Sequence, residues 1–314
     1  MFIYKVTSEN KYFNIKELLK SYYNMSDKLI AKLKRYKRIY KNNEPVYVTS
    51  VLNENDIVSI DIDFDEEYDD NIKPVSHTLN ILYEDDFLLV VNKEAGYPIH
   101  PSNLHYEDTI SNFVKAYFIE KNIKRKIRPV NRLDKNTSGI TIFAKSDYIQ
   151  DILIKEMNSN TFKKNYLAIT EGIPNPLEGL INAPIARKYG SIIEREICFE
   201  TNENLPIEYK PSIAKTIYKT FKIEKENNLS LTSYTLLTGR THQIRLHSKY
   251  INCPLLGDEL YNKESNLINR QALHSESITF IHPITKEELN ITAPLPEDMK
   301  LVLEKFNFID INNV

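Results

Sequence analysis

The chain has 314 residues, with 41 lysines and arginines against 43 aspartates and glutamates for a net charge of −2, and it carries seven glycines, two cysteines and no tryptophan. That length suits one large domain plus a small one, and no apolar run approaches the roughly 18 residues of a membrane span, which excludes an integral helical membrane protein. The start Met1-Phe2-Ile3-Tyr4-Lys5 turns polar too soon for a signal peptide, and Cys198 and Cys253 read as packing residues of a cytoplasmic protein, not as a zinc site or disulfide framework.

In chain order, Ile15, Leu18, Leu19 and Tyr22 predict an amphipathic helix, and Ser26 predicts the cap of a second one. The second opens a basic stretch of Lys28, Lys32, Lys34, Arg35, Lys37, Arg38 and Lys41. Leu29, Leu33 and Tyr36 fall on one face, and Lys28, Lys32 and Arg35 on another. Such a helix can pack and still offer cations to phosphates, although charge runs also serve as plain solvated faces. Tyr40 to Val48 reads as strand, turn, strand, and Ile57 to Ile60 as a further strand; Asn42, Asn43 and Asn55 tolerate the left-handed backbone that the turns need. An acidic run follows, from Asp61 to Asp70.

Thr78 to Leu82 and Phe87 to Asn92 read as strands about a turn, Ile110, Phe113, Val114 and Tyr117 as a helix, and Lys121 to Arg128 as a second basic run able to track a nucleic-acid backbone. Next comes Arg132-Leu133-Asp134-Lys135-Asn136-Thr137-Ser138-Gly139, feeding the apolar run Ile140 to Ala144. One carboxylate stands between two cations on a polar loop anchored to a buried strand, which is how an anionic nucleophile is presented; the plain alternative is a surface ion pair. A helix on Ile149, Ile152, Leu153 and Met157 follows, then strands over Phe162 to Glu171, Lys215 to Ile223 and Leu229 to Leu237.

In Thr238-Gly239-Arg240-Thr241-His242-Gln243-Ile244-Arg245-Leu246-His247, Gly239 reads as a turn and Thr241 as the cap of a helix projecting Arg240, His242, Gln243, Arg245 and His247, an anion site. A five-residue gap does not align His242 and His247 on one helical face, so metal binding is not expected there. With no other ligand cluster and no glycine-rich phosphate loop, neither a metal nor a cofactor is expected. A last helix after Pro296 carries Leu301, Val302 and Phe306 inward, and the Asn-Asn ending should fray. Strand pairs about turns favour an α+β domain with a largely antiparallel sheet flanked by helices. The chain has seven glycines where average usage gives roughly 22, and six of them lie in or beside these blocks, which points to special turns there.

These blocks, in order, resemble the RluA-type pseudouridine synthases over roughly residues 78 to 300: Tyr83 to Asp86 through Val91-Asn92-Lys93-Glu94-Ala95-Gly96 to His100-Pro101, then Arg132-Leu133-Asp134 with Thr137-Ser138-Gly139, Lys164-Asn165-Tyr166-Leu167-Ala168 ending at Gly172, Pro184 to Arg187, and Gly239 to His247 with Gly257-Asp258 and Tyr261. The resemblance implies a pseudouridine synthase catalytic domain over residues 78–314 with Asp134 as catalytic aspartate. Arg132 would enter the space of a flipped nucleotide, Tyr166 would pack on the target base, and Arg245 would pair with Asp134. Arg240 reads as a phosphate or active-site contact, and sequence does not separate the two arginines. The family commonly has histidine before Arg-Leu-Asp where this chain has Asn131, which puts a proton-transfer role there in doubt.

The helix, basic helix and small sheet of residues 1–65 resemble an S4-like RNA-binding domain, joined by an acidic linker over 66–77. The expected activity is isomerisation of uridines in structured RNA, with ribosomal RNA of the large subunit favoured over transfer RNA, by a monomer that uses no cofactor. Lys28, Lys32 and Arg35 are expected on the RNA backbone. Two other classes compete. Asp134-Lys135 with Thr137 superficially resembles the Asp-Lys-Thr of aspartyl-phosphate enzymes, but Asn136 spoils the spacing; a non-catalytic ribosome assembly factor that retains the synthase fold only to hold RNA is the other.

Overall fold

The computed structural model describes residues 1–310 apart from 65, 67–70, 158, 160, 201–205 and 307. Asp65, Glu67, Asp69 and Asp70 of the acidic run, and the Asn312-Asn313 ending, lie outside the described residues.

The chain opens with β1 (Phe2–Lys5), then a short α1 (Ile15–Glu17) that runs on as a π-helical turn over Leu18–Tyr22, and α2 (Asp27–Arg35). Strands β2 (Ile39–Lys41), β3 (Glu44–Pro45) and β4 (Ile57–Ile60) complete an antiparallel sheet in the order β1-β4-β2-β3. The Ser26 hydroxyl caps α2 by accepting from the Leu29 amide at 3.2 Å. Asn42, Asn43 and Asn55 adopt positive φ, so asparagine performs the turns as expected. The packing face of α2 differs from expectation: Ile30 and Leu33 are buried, Leu29 is partly buried, and Tyr36 is exposed with its ring edge against Phe64 at 5.6 Å. Tyr36 is the residue at which α2 ends, so it leaves the helical stripe.

The larger part continues with β5 (Ile81–Glu84), β6 (Leu88–Lys93), α3 (Ile110–Glu120), β7 (Ser138–Ala144), α4 (Asp147–Glu156), β8 (Lys163–Glu171), β9 (Glu178–Asn182) and a hairpin of β10 (Ile185–Arg187) and β11 (Arg195–Ile197). It closes with β12 (Lys215–Glu224), β13 (Leu229–Leu236), α5 (Gln243–Tyr250), β14 (Leu273–Ile281), β15 (Glu288–Thr292), α6 (Glu297–Lys305) and β16 (Ile309–Asp310). Ten of these strands make one sheet in the order β16-β12-β13-β8-β14-β7-β6-β5, with β15 beside β14 and β9 beside β12. Every pairing is antiparallel except β7 with β14, so the sheet is mixed and largely antiparallel as read from sequence. The strand expected over Thr78 to Leu82 begins at Ile81 and ends at Glu84, and a bulge between Ile81 and Tyr83 shifts its pairing with β6. In α6 Val302 is buried and Phe306, at its end, packs partly buried on the same cluster, as expected, but Met299 turns inward in place of Leu301, which is exposed. Among the described residues no helix is long and apolar enough to cross a membrane.

The central strands are covered on both sides, which explains their unbroken apolar runs. Leu88 and Val90 of β6 with Ile140, Ile142 and Ala144 of β7 face one cluster; Leu89, Val91 and Phe143 face another built on α3. The first cluster also contains Phe2, Leu18, Leu33, Ile39 and Ile60, so the N-terminal sheet and the catalytic-side strands share one apolar core. Tyr148 of α4 adds a hydrogen bond, its hydroxyl donating to the Tyr23 carbonyl at 2.6 Å. The acidic run supplies counter-charges: Arg38 pairs with Asp61 at 2.5 Å, Arg125 pairs with Asp63, and Arg128 grips both oxygens of Glu66 at 2.7 Å. Both arginines of the basic run before the Asp134 loop are thus engaged within the chain.

Gly139 is the tightest point of the sheet. Its φ is +110°, and a Cβ there would stand 2.2 Å from the Ser275 carbonyl oxygen. Gly139→Ala is expected to cost about 3 kcal/mol or more, combining backbone strain with a clash that backbone alone must relieve. Gly96→Ala, at φ +96° with nothing within 4 Å of the new methyl, should cost only roughly 1 to 2 kcal/mol. Urea unfolding of both variants checks the ranking, and equal midpoints would show that the contact with β14 is slack.

Candidate active site

Asp134 sits on the loop that enters β7, and the loop is held at nearly every residue. Asn131 is buried; its side-chain amide donates to the Ile140 carbonyl at 2.9 Å and accepts from the Ile142 amide at 2.8 Å, so it extends the β7 ladder. Leu133 is buried against Tyr166 and Ile244 in the same apolar cluster. The Thr137 amide closes a turn on the Asp134 carbonyl at 3.1 Å. Two cations collect the carbonyls that follow: Lys93 donates to Lys135 at 2.8 Å, and Arg270 to Asn136 at 3.1 Å. Arg270 is itself clamped by Asp298 of α6 at 2.6 and 2.8 Å. Burial, helped by the Arg270 cation, lowers the Lys93 pKa to about 7. Nothing in the sequence reading marked these two supports, although Lys93 lies inside one of the motif blocks.

Arg245 projects from α5 between two carboxylates. It makes a bidentate pair with Asp258, 2.7 Å on each arm, and its third nitrogen reaches Asp134 Oδ2 at 3.4 Å. Burial would depress the guanidinium pKa, but the Asp258 pair and the Asp134 charge outweigh it and the pKa is raised. Arg245 also lies 4.9 Å over the Tyr261 ring. His242 completes this side, with Nε2 3.8 Å from Asp134 Oδ2 and Nδ1 2.8 Å from the Tyr261 hydroxyl, which accepts from the Arg195 amide at 2.9 Å. Burial lowers the His242 pKa despite the attraction of Asp134, which favours the neutral imidazole. Asp258 and Tyr261 had been recognised only as motif residues; no local pattern announces that they brace Arg245 and His242.

The start of α5 departs from expectation. Thr241 is exposed and caps nothing; His242 occupies the cap position with φ 57°, and the turn is organised by Gln243. The Gln243 carbonyl accepts from the Arg240 amide and the Thr238 hydroxyl at 2.9 Å, while its amide nitrogen donates to Lys215 at 3.0 Å and to the Thr216 hydroxyl at 2.9 Å. His247 is fully buried and spent on Thr216 and the Ala183 carbonyl, at 2.8 and 3.0 Å, so it is no metal ligand and no anion contact.

Tyr166 is buried on β8, opposite Ser275, in the same cluster as Leu133. Burial, with the neighbouring Asp134 charge, pushes its hydroxyl up to about 12. Asp134, Arg245 and Tyr166 therefore converge. Arg132 is exposed, and its charge adds to burial in lowering the His100 pKa. Arg240 is exposed and acts electrostatically on Lys164. Lys28, Lys32 and Arg35 are exposed on α2, in the N-terminal part and outside this cluster; Lys32 lies 3.8 Å over the Phe64 ring and Arg35 5.6 Å from that of Tyr36.

Removing one partner from a buried ion pair leaves the other charge uncompensated. Asp258→Asn should therefore cost about 3 to 5 kcal/mol, measured as a lower urea midpoint than the wild type. An unchanged midpoint would mean that Arg245 is carried by Asp134 and solvent.

Residues 87–250 match the RNA pseudouridylate synthase family. The RNA pseudouridine synthase YjbO of Bacillus subtilis is 34% identical over 266 residues, covering 85% of this chain and 89% of that protein. The ribosomal large subunit pseudouridine synthase D of Zymomonas mobilis is 34% identical over 254 residues, 77% of this chain and 76% of its own. Among solved structures, human RNA pseudouridylate synthase domain containing 4 shares the fold at a TM-score of 0.59 and 22% identity, over 73% of this chain and 94% of that one. The chain belongs to the RNA pseudouridine synthases, as a member of the RluA type.

Proposed function

We propose that this synthase isomerises uridines of large-subunit ribosomal RNA with Asp134 as the nucleophile, Arg245 as the residue that holds it, Tyr166 as the packing surface for the base and Arg132 as the side chain that fills the space of the extruded nucleotide. The observation that carries this is the Asp258–Arg245–Asp134 arrangement, which fixes a charged donor on a carboxylate beside a buried aromatic ring. In the reaction the bond from N1 to C1′ breaks, the uracil turns, and C5 bonds to C1′; C5 loses its hydrogen and N1 gains one. A carboxylate can open this sequence by attack at the ribose or by proton abstraction towards a glycal, and the fixed cation stabilises its charge while base and sugar are separated. The large-subunit substrate is supported by two relatives named ribosomal large subunit pseudouridine synthase D, 34% and 33% identical.

Comparing pseudouridine maps of ribosomal and transfer RNA from cells with and without the protein tests the substrate. A site lost from large-subunit RNA is expected; loss confined to transfer RNA would redirect the assignment. Asp134→Asn should abolish isomerisation by the purified protein while RNA affinity and the melting temperature stay near wild type, and appreciable turnover by that variant would remove Asp134 from the chemistry.

Residues 1–65 are, in this proposal, an S4-like surface that docks RNA through Lys28, Lys32 and Arg35, with 66–77 as linker and 78–314 as the catalytic part. Replacing the three cations by glutamine should flatten the dependence of log K on log salt by roughly 0.7 to 0.9 for each lost phosphate contact. Since all three are exposed, stability should hold. An unaltered slope would make α2 a solvated face.

A further inference from the structure

Lys164 is a motif residue whose place in the fold the chemistry above leaves unused. It lies on β8 two residues before Tyr166 and on the same buried face, one strand repeat of roughly 7 Å away. Only 8% of it is exposed, yet among the described residues its ammonium has no carboxylate or carbonyl partner; the recorded contact is the Phe162 ring, 6.0 Å from Nζ. A buried, unpaired cation is costly unless something anionic completes it. Burial, with the Arg240 charge adding to it, lowers the Lys164 pKa. Nζ lies beside Gly239, where a Cβ would stand 3.6 Å from it, in ordinary van der Waals contact. The Arg240 backbone is pinned by Gln243 at 2.9 Å, while its side chain is exposed. Lys164 Nζ thus lies against Gly239, the residue before Arg240, on the strand face that also carries Tyr166.

We propose that Lys164 and Arg240 jointly bind a phosphodiester group of the RNA strand next to the target uridine. A phosphate offers the oxygens and the negative charge that both side chains lack, and Arg240 can approach it from solvent while Lys164 meets it from the buried side. This rests on the reading of the Asp134 face as the uridine site.

The test is equilibrium binding of the full-length protein to a synthetic RNA hairpin with an all-uridine loop, across a salt series. Lys164→Met should weaken binding about tenfold and flatten the salt slope by roughly 0.7, Lys164→Arg should keep the wild-type slope, and Arg240→Met should resemble Lys164→Met. The double variant should lose less than the product of the two penalties, because one phosphate accounts for both. Lys164→Met should melt no lower than wild type, since it removes an uncompensated buried charge. Gly239→Val, which covers Nζ without removing charge, should also weaken the hairpin. Wild-type affinity and slope in Lys164→Met, penalties that multiply, undiminished binding by Gly239→Val, or a clear loss of stability in Lys164→Met would each overturn the shared site. These are binding measurements, so an inactive wild type would sink the isomerisation reading alone, and unchanged binding would sink the phosphate site alone.

Discussion

The contact on which the catalytic part depends is the close approach of Gly139 to the backbone of Ser275. Ser275 pairs with Gly139 of β7 on one side and with Tyr166 of β8 on the other. One residue of β14 therefore sets the register between the strand that the Asp134 loop enters and the strand that carries the aromatic face. A side chain at residue 139 would push these strands apart, and with them the two halves of the site. Only glycine permits both the positive φ and the missing Cβ.

Around that register the site is assembled from charges that are paired twice. Arg245 faces Asp258 and Asp134; Arg270 joins α6 to the loop carbonyls; Lys93 is enclosed by carbonyl oxygens from two segments. Each cation reaches across elements far apart in sequence, which fixes the geometry of the side chains and carbonyls it joins.

Much of this was legible from sequence and the rest was not, for identifiable reasons. The loop from Arg132 to Gly139 announced itself by polar residues abutting an apolar run, and the apolar run is β7. The antiparallel character followed from strand pairs about turns. By contrast β14, the partner that sets the register, reads Leu-His-Ser-Glu-Ser-Ile-Thr-Phe-Ile, with buried His274 and Ser275 breaking any alternation. His274 is satisfied in the interior by Ser138 of β7 at 2.9 Å and by the Ala293 carbonyl at 3.3 Å, and no periodicity reports that. The cap of α5 misled for a similar reason: the threonine in the expected position is solvated, and a glutamine two residues later ties the turn after β13 to β12. Asn131 shows the reverse case, where a departure from the family pattern proves to be a backbone clasp.

The apolar cluster shared by the N-terminal sheet and the β6–β7 strands has a consequence for what the protein can recognise. Were the two parts joined by slack chain, each could find its own stretch of RNA and the linker would absorb the difference. Here Phe2, Leu33 and Ile60 sit in one core with Val90 and Ile142, so the span from the cations of α2 to Asp134 is set by packing. If α2 does touch RNA, the protein then works as a calliper: a uridine is accepted only when the folded nucleic acid brings a backbone segment to one jaw while presenting the base at the other.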